Sequence, residues 1–227
     1  MTTIPIIDGR AESDQDRDFL PGMGRPWLLP LYDLFTRFAR VRPLHERTVE
    51  LASIEPGQTV LDVGCGTANL SFAVLRAVPE AVVTGHDPDA DALKMAARKA
   101  RRRGVRLSLV QGYADRLLPE DGSVDHVVSS LALHHVDDAG RAGFGREAHR
   151  ILRPGGRVTI VDFGAPDHGP GGHGHEGHRH RGMNAYTERN LDNGIVSLLT
   201  EAGFTDAREI DHIEHRFGPI TIVQATR

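Results

Sequence analysis

Cysteine, tryptophan and long apolar runs are almost missing from this 227-residue chain. A single cysteine, Cys65, excludes an internal disulfide framework and any cysteine-rich zinc site. No apolar run approaches the roughly 18 residues that a membrane-spanning helix needs. The polar opening MTTIPIIDGRAESDQDRD has no apolar core segment, so no signal peptide is read there and the cytoplasm is the expected location. Charge of one sign is not in excess either. A formal net charge of −4 gives no electrostatic reason to expect nucleic acid as a partner. The one dense basic cluster, Arg98 to Arg103, closes a predicted helix, where it complements the negative end of the dipole.

What is present is a regular alternation. TVLDVG (59–64), AVVTGHD (81–87), VRLSLVQG (105–112), VDHVVSSL (124–131) and RVTIVDF (157–163) read as strands. Helical patterns separate them, and a turn at RPGG precedes the fifth strand. REIDHIEH and FGPITIVQATR close the chain as two more strands, a hairpin turning near Arg216–Gly218. Such alternation builds an α/β fold: a Rossmann-like, doubly wound sheet with helices on both faces. Residues 1–22 are polar and are expected to be a disordered or loosely attached tail. Residues 23–227 then form a single domain, with a helical lid at 23–54 broken near Pro43 and a His/Gly-rich loop insertion at 165–187. Trp27 and Tyr32 of the lid are candidates to cover a substrate.

In a doubly wound sheet, ligands bind beyond the carboxyl ends of the strands. The stretch VLDVGCGTANL lies there, and Gly64 and Gly66 allow the tight turn that brings backbone close to a ligand. A dinucleotide fingerprint would need glycine at position 69, which is Asn69 here. Asp62, two residues before the first glycine, suits a cation better than a pyrophosphate. Asp87 ends the second strand, where a carboxylate can accept both hydroxyls of a ribose. The pattern points to a nucleoside with a positively charged tail and no phosphates. A nicotinamide-dependent oxidoreductase is disfavoured on the same two residues, Asp62 and Asn69.

With these residues the chain resembles the class I S-adenosylmethionine-dependent methyltransferases, in the small-molecule branch similar to the quinone-biosynthesis enzymes. VLDVGCGTANL (60–70), TGHDPDADAL (84–93), VQGYADRLLPEDGSVDHVVSSLALHHV (110–136) and LRPGGRVTIVDF (152–163) carry the likeness. It implies a seven-stranded sheet with the last strand antiparallel, and S-adenosylmethionine as cofactor. It also implies that Asp62, Gly64, Cys65, Gly66 and Thr67 hold the methionine part and Asp87 the ribose. Pro88, Tyr113, Ala114 and Asp115 would lie along the adenine, and Ser130 and Leu131 would close over the sulfonium side. Ala68 stands where the family commonly has glycine, a change expected to be tolerated because that position opens a helix. Tyr113 stands where the family commonly has an acidic or amide residue.

Methyl transfer is an in-line displacement, in which alignment can supply on the order of 7–11 kcal/mol. Alignment alone is expected to suffice; if the acceptor must lose a proton, His134 and His135 are the candidate bases. The acceptor is expected to be a small molecule. The segment GHGHEGHRHRG (172–182) leaves a second reading open, a metal-binding or metal-regulated protein using the fold as a scaffold. His173, His175, His178 and His180 are its candidate ligands, suited to a loosely bound Zn or Ni ion.

Overall fold

The computed structural model describes residues 4–14, 41–164, 190, 193–215 and 218–227. Eight strands form one sheet in the order β1-β4-β3-β2-β5-β6-β8-β7. They are β1 (Ile6–Asp8), β2 (Thr59–Val63), β3 (Val82–Asp87), β4 (Ser108–Gln111), β5 (Val124–Ser130), β6 (Leu152–Phe163), β7 (Thr205–His215) and β8 (Gly218–Thr226). The helices are α1 (Val41–Ala52), α2 (Asn69–Ala77), α3 (Ala90–Arg103), α4 (Asp138–Ile151) and α5 (Gly194–Glu201). Strands β1 to β6 pair in parallel, and β8 runs antiparallel to both β6 and β7. The antiparallel closing strand is the one expected from sequence.

Two expectations are corrected. The sheet has eight strands rather than seven, because Ile6–Asp8, assigned by composition to a loose tail, pairs with Leu109–Gln111. Gly9 extends the pairing through its N–H to the Gln111 carbonyl at 2.8 Å. Three residues are enough here, since Ile4 and Ile6 also pack on the core beneath. The second concerns only the position of Pro43, which is the third described residue of α1. The residues just before Val41, where the expected break would fall, lie outside the described ones.

The local causes are ordinary. Asp89 caps α3 by accepting from Asp91 and Ala92 N–H at 2.9 and 3.1 Å. Ala92, Leu93, Ala96, Ala97 and Ala100 make its buried stripe, and Gly104 ends it in the left-handed region at φ +65°. The RPGG segment is an excursion within β6: Val124 pairs with Leu152 and His126 with Arg157, so residues 153–156 bulge out between two ladder positions. One face of the sheet (Val60, Val83, Leu109, Val128) packs on α2 and α3. The other (Leu61, Val127, Val158, Ile160) packs on α4 and α5. With both faces covered, the carboxyl edge of the sheet is left to hold a ligand.

Candidate functional site

The topology brings the sequence-predicted residues to that edge. Gly64 follows the last residue of β2, Asp87 ends β3, Tyr113 to Asp115 follow β4, and Ser130 ends β5. Gly64 turns at φ +72°, and a Cβ there would stand 2.3 Å from the Cβ of Ala132, so the β2 and β5 loops touch only because that atom is missing. Gly66, at φ +52°, faces open space: a Cβ would meet nothing within 4 Å. An empty volume over backbone is what a bound ligand requires.

Three successive backbone donors of this loop point inward. Gly64 and Cys65 N–H go to the His86 carbonyl at 2.8 and 3.2 Å, and Gly66 N–H goes to Asp87 Oδ2 at 2.8 Å. A phosphate-binding loop presents exactly these groups to its anion, so pyrophosphate has no cradle here. Space and carbonyl oxygen suit a cationic group instead.

Three loop side chains have partners within the protein. Asp62 turns its Oδ2 to Ser71, accepting from N–H at 3.0 Å and Oγ at 2.6 Å, and so anchors the start of α2. Cys65 is 8% exposed and packs in the core, where a Cβ on Gly85 would lie 2.8 Å from its sulfur. Burial pushes its thiol well above the usual range, which makes it a packing group rather than a nucleophile. Thr67 Oγ1 accepts from Lys99 Nζ at 3.0 Å, and the same ammonium reaches Asn69 Oδ1 at 2.7 Å. Lys99 was read only as part of a dipole-complementing cluster. It clamps the glycine loop to α3. Ala68 is the other surprise: it is fully buried at φ +64°, in the left-handed region where an L side chain is strained.

Asp87 remains well placed for the ribose role. Its Oδ1 accepts from Asp89 N–H at 2.8 Å while Oδ2 holds Gly66, which leaves acceptor capacity on both oxygens. Burial raises its pKa to about 6, and that of Asp62 to about 7. Pro88 is fixed by its carbonyl, which accepts from Gln111 Nε2 at 3.1 Å. Tyr113 lies close enough to Arg10 for its hydroxyl to act on that guanidinium. Ala114 packs on the α4 side of the core, while Asp115 lies near enough to His86 to act on its charge. Ser130 buries its Oγ with no hydrogen-bond partner among the described residues, and Leu131 follows at φ +54°.

His134 and His135 sit in a short 3-10 turn just beyond β5. Asp162 of β6, fully buried, accepts from His134 N–H at 3.0 Å, from His134 Nδ1 at 2.6 Å and from Phe163 N–H at 2.7 Å. His135 stacks on His134 with ring centroids 4.0 Å apart. Burial, and then the neighbouring His134, hold its pKa down to about 4, so it is neutral. Asp162 was not singled out from sequence, although a lone carboxylate inside the apolar run IVDF was the signal that could have found it. Trp27, Tyr32, His173, His175, His178 and His180 lie outside the described residues. Among the described residues no group of three or more His, Cys, Asp or Glu could hold a metal, and no helix is long and apolar enough to cross a membrane.

Comparison with known proteins agrees with this geometry. Residues 60–156 match the family described as a methyltransferase domain. An uncharacterized methyltransferase of Synechocystis sp. is 32% identical over 209 residues, covering 88% of this chain and 91% of the relative. The demethylmenaquinone methyltransferase of Thermus thermophilus is 32% identical over 145 residues, 63% of this chain and 65% of that enzyme. In fold, a SAM-dependent methyltransferase from Aquifex aeolicus superposes with a TM-score of 0.65 at 19% identity, over 89% of this chain and 98% of that one. A turn whose amides face inward, an open space above its glycine, a carboxylate at the end of β3 and a full-length relative meet in one conclusion: the chain belongs to the class I S-adenosylmethionine-dependent methyltransferases, and resembles those of quinone biosynthesis.

Proposed function

We propose that this enzyme methylates a small-molecule acceptor in the cytoplasm, one that gives up a proton as it is methylated, with His134 as the base that takes it. The observation that carries this reading is the 2.6 Å bond between His134 Nδ1 and Asp162. A carboxylate already holding two backbone N–H donors accepts, so Nδ1 donates and the lone pair is left on Nε2. No described residue bonds to Nε2, and 11% of the His134 side chain stays exposed. A neutral His135 against it adds no second positive charge when the proton arrives. Alignment alone, the expectation from sequence, would not need such a pair.

Bound S-adenosylmethionine supplies an electrophilic methyl group on a sulfonium. The residues do the rest. Asp87 accepts the ribose hydroxyls, the Gly64–Gly66 turn leaves room for the methionine part, and Ser130 and Leu131 border the sulfonium side. With the cofactor bound, Nε2 of His134 would take the proton leaving the acceptor as the acceptor's electron pair forms the bond to the methyl carbon and the methyl–sulfur bond breaks, its electron pair staying on the sulfur. The histidines of residues 173–180 lie outside the described residues and add nothing to this reading, which favours the enzyme over a metal-binding scaffold.

The test uses turnover on an acceptor panel that begins with demethylmenaquinone, after the relative's name. His134→Ala and Asp162→Asn are expected to lower kcat by roughly two to four orders of magnitude, with cofactor affinity unchanged in calorimetry. Asp162→Asn should also distort the acid limb of the pH–rate profile, because an amide can hold Nδ1 in the wrong tautomer. Variants with full turnover and a flat profile would leave alignment as the whole mechanism.

A further inference from the structure

At the opposite end of the sheet, where β2 and β5 begin and β6 bulges, the structure holds a partly open polar space. It is a cavity of about 110 Å³ walled by Gln58, Asp125, His126, Arg153, Arg157 and the Gly155–Gly156 backbone. The methyl-transfer site uses none of these residues.

The hydrogen bonds around it decide which groups remain available. Gln58 Oε1 accepts from Glu55 N–H at 2.8 Å and bonds His126 Nε2 at 2.9 Å. A backbone N–H can only donate, so the amide's orientation is set and its NH2 is the end left over. His126 is 3% exposed, and burial together with the nearby Arg157 holds its pKa down to about 4. It is therefore a neutral strut for Gln58. Asp125 is engaged: Oδ2 accepts from Thr59 N–H and Oγ1 at 2.8 and 2.9 Å, and Oδ1 pairs with Arg153 at 2.8 Å. Arg153 also donates to the Ser123 carbonyl at 3.3 Å. Arg157 is different. Half-buried, it has no ion pair or side-chain hydrogen bond among the described residues. Arg153 is thus paired with Asp125, the oxygen of Arg227 accepts from Gly155 N–H at 2.9 Å, and among the described residues Arg157 and the Gln58 NH2 are the donors left without a hydrogen-bond acceptor.

We infer that this cavity is a binding site for a phosphate group, held by the fork of Arg157 with the Gln58 amide and Arg153 beside it. A planar guanidinium matches two oxygens of one phosphate in charge-assisted bonds. The walls are mainly polar, with Pro154 among them, and the space is small, so the phosphate is what is recognised, whether free or on a small ester.

The experiment is calorimetry and thermal unfolding of the full chain with sodium phosphate, with glycerol 3-phosphate, and with sodium chloride at matched ionic strength. Saturable binding and a raised Tm with phosphate are expected. Saturation by the free ion alone means the cavity closes over it; saturation by both means the ester oxygen points outward, and either result supports the site. Arg157→Gln should weaken binding roughly tenfold or more, while Arg102→Gln on α3 should not. Should Arg157→Gln fail to fold, labelling of the wild type with phenylglyoxal gives the same answer: phosphate should protect Arg157 but not Arg102. Equal effects of chloride and phosphate, or no protection, would overturn the proposal.

Discussion

At the scale of single residues, the site is governed by buried carboxylates and one strained alanine. Asp62 and Asp87 have folded-state pKa values raised to about 7 and about 6 from 3.8, with burial the largest cause. For a carboxylate raised in this way, the stabilising contribution is fully present below the unfolded value and is lost as pH rises through the folded one. The cofactor-free protein should therefore lose stability between about pH 4 and 7, and Asp62→Asn should flatten that slope in urea titrations. Ligand binding responds oppositely. Ribose hydroxyls donate to an ionised Asp87, so S-adenosylhomocysteine affinity should rise through pH 6 and weaken by roughly tenfold per unit below it. Asp87→Asn should bind weakly at every pH; a variant that keeps the wild-type pH dependence would remove Asp87 from the ribose. Ala68 offers a simpler measurement. A left-handed L residue costs about 1–2 kcal/mol, partly offset by the extra unfolded freedom of glycine. Ala68→Gly should raise stability by up to about 1 kcal/mol, read as a higher urea midpoint. Expecting this alanine to be harmless because it opens a helix missed that its φ, not its helical position, is the constraint.

At the scale of elements, what matters is which strand ends meet. β5 and β6 lie side by side in parallel register, with Ser130 opposite Val161. The turn after β5 therefore comes down on the last residues of β6, and His134 meets Asp162 across 28 positions of sequence. The β2 and β5 loops touch in the same way at Gly64 and Ala132. Gly64→Ala combines a positive φ with a 2.3 Å overlap, so it should separate the β2 loop from the β5 loop, which carry the proposed cofactor and base residues. The expected result is lower cofactor affinity and lower turnover together, checked by calorimetry and kinetics on one preparation. Loss of turnover at unchanged affinity would mean that only the β5 loop had moved. The individual strands and their hydrophobic faces were readable from residue period, because alternation and apolar runs are local. The pairing of His134 with Asp162 was not, because nothing local to either residue names the other.

At the scale of the whole molecule, β1 extends the sheet past β4 and covers what would otherwise be its edge. Removing residues 1–11 should lower stability by about 2 kcal/mol, from the partly buried Ile4 and Ile6. It should also expose the β4 edge to pairing with other chains. Urea unfolding and light scattering would check both; an unchanged midpoint would mean that β1 docks without stabilising. The two ends of the sheet then differ in chemistry: the glycine turn and the proposed histidine base at the carboxyl edge, and an arginine-lined cavity at the other.

The sequence by itself determined the α/β alternation, the glycine turn after β2, the carboxylate ending β3 and the antiparallel close. Each rests on a run of neighbouring residues whose period or conformational freedom admits few alternatives. Only the tertiary structure decided that Asp62 bonds Ser71, that Lys99 clamps the loop to α3, that Cys65 is core, and that the Gly64, Cys65 and Gly66 amides point inward. It alone paired His134 with Asp162 and, among the described residues, left Arg157 without a side-chain partner. These are relations between side chains distant in sequence, set by strand order and register. Burial then turns them into chemistry, since a charge or a lone pair removed from water is governed by whatever the fold has placed beside it.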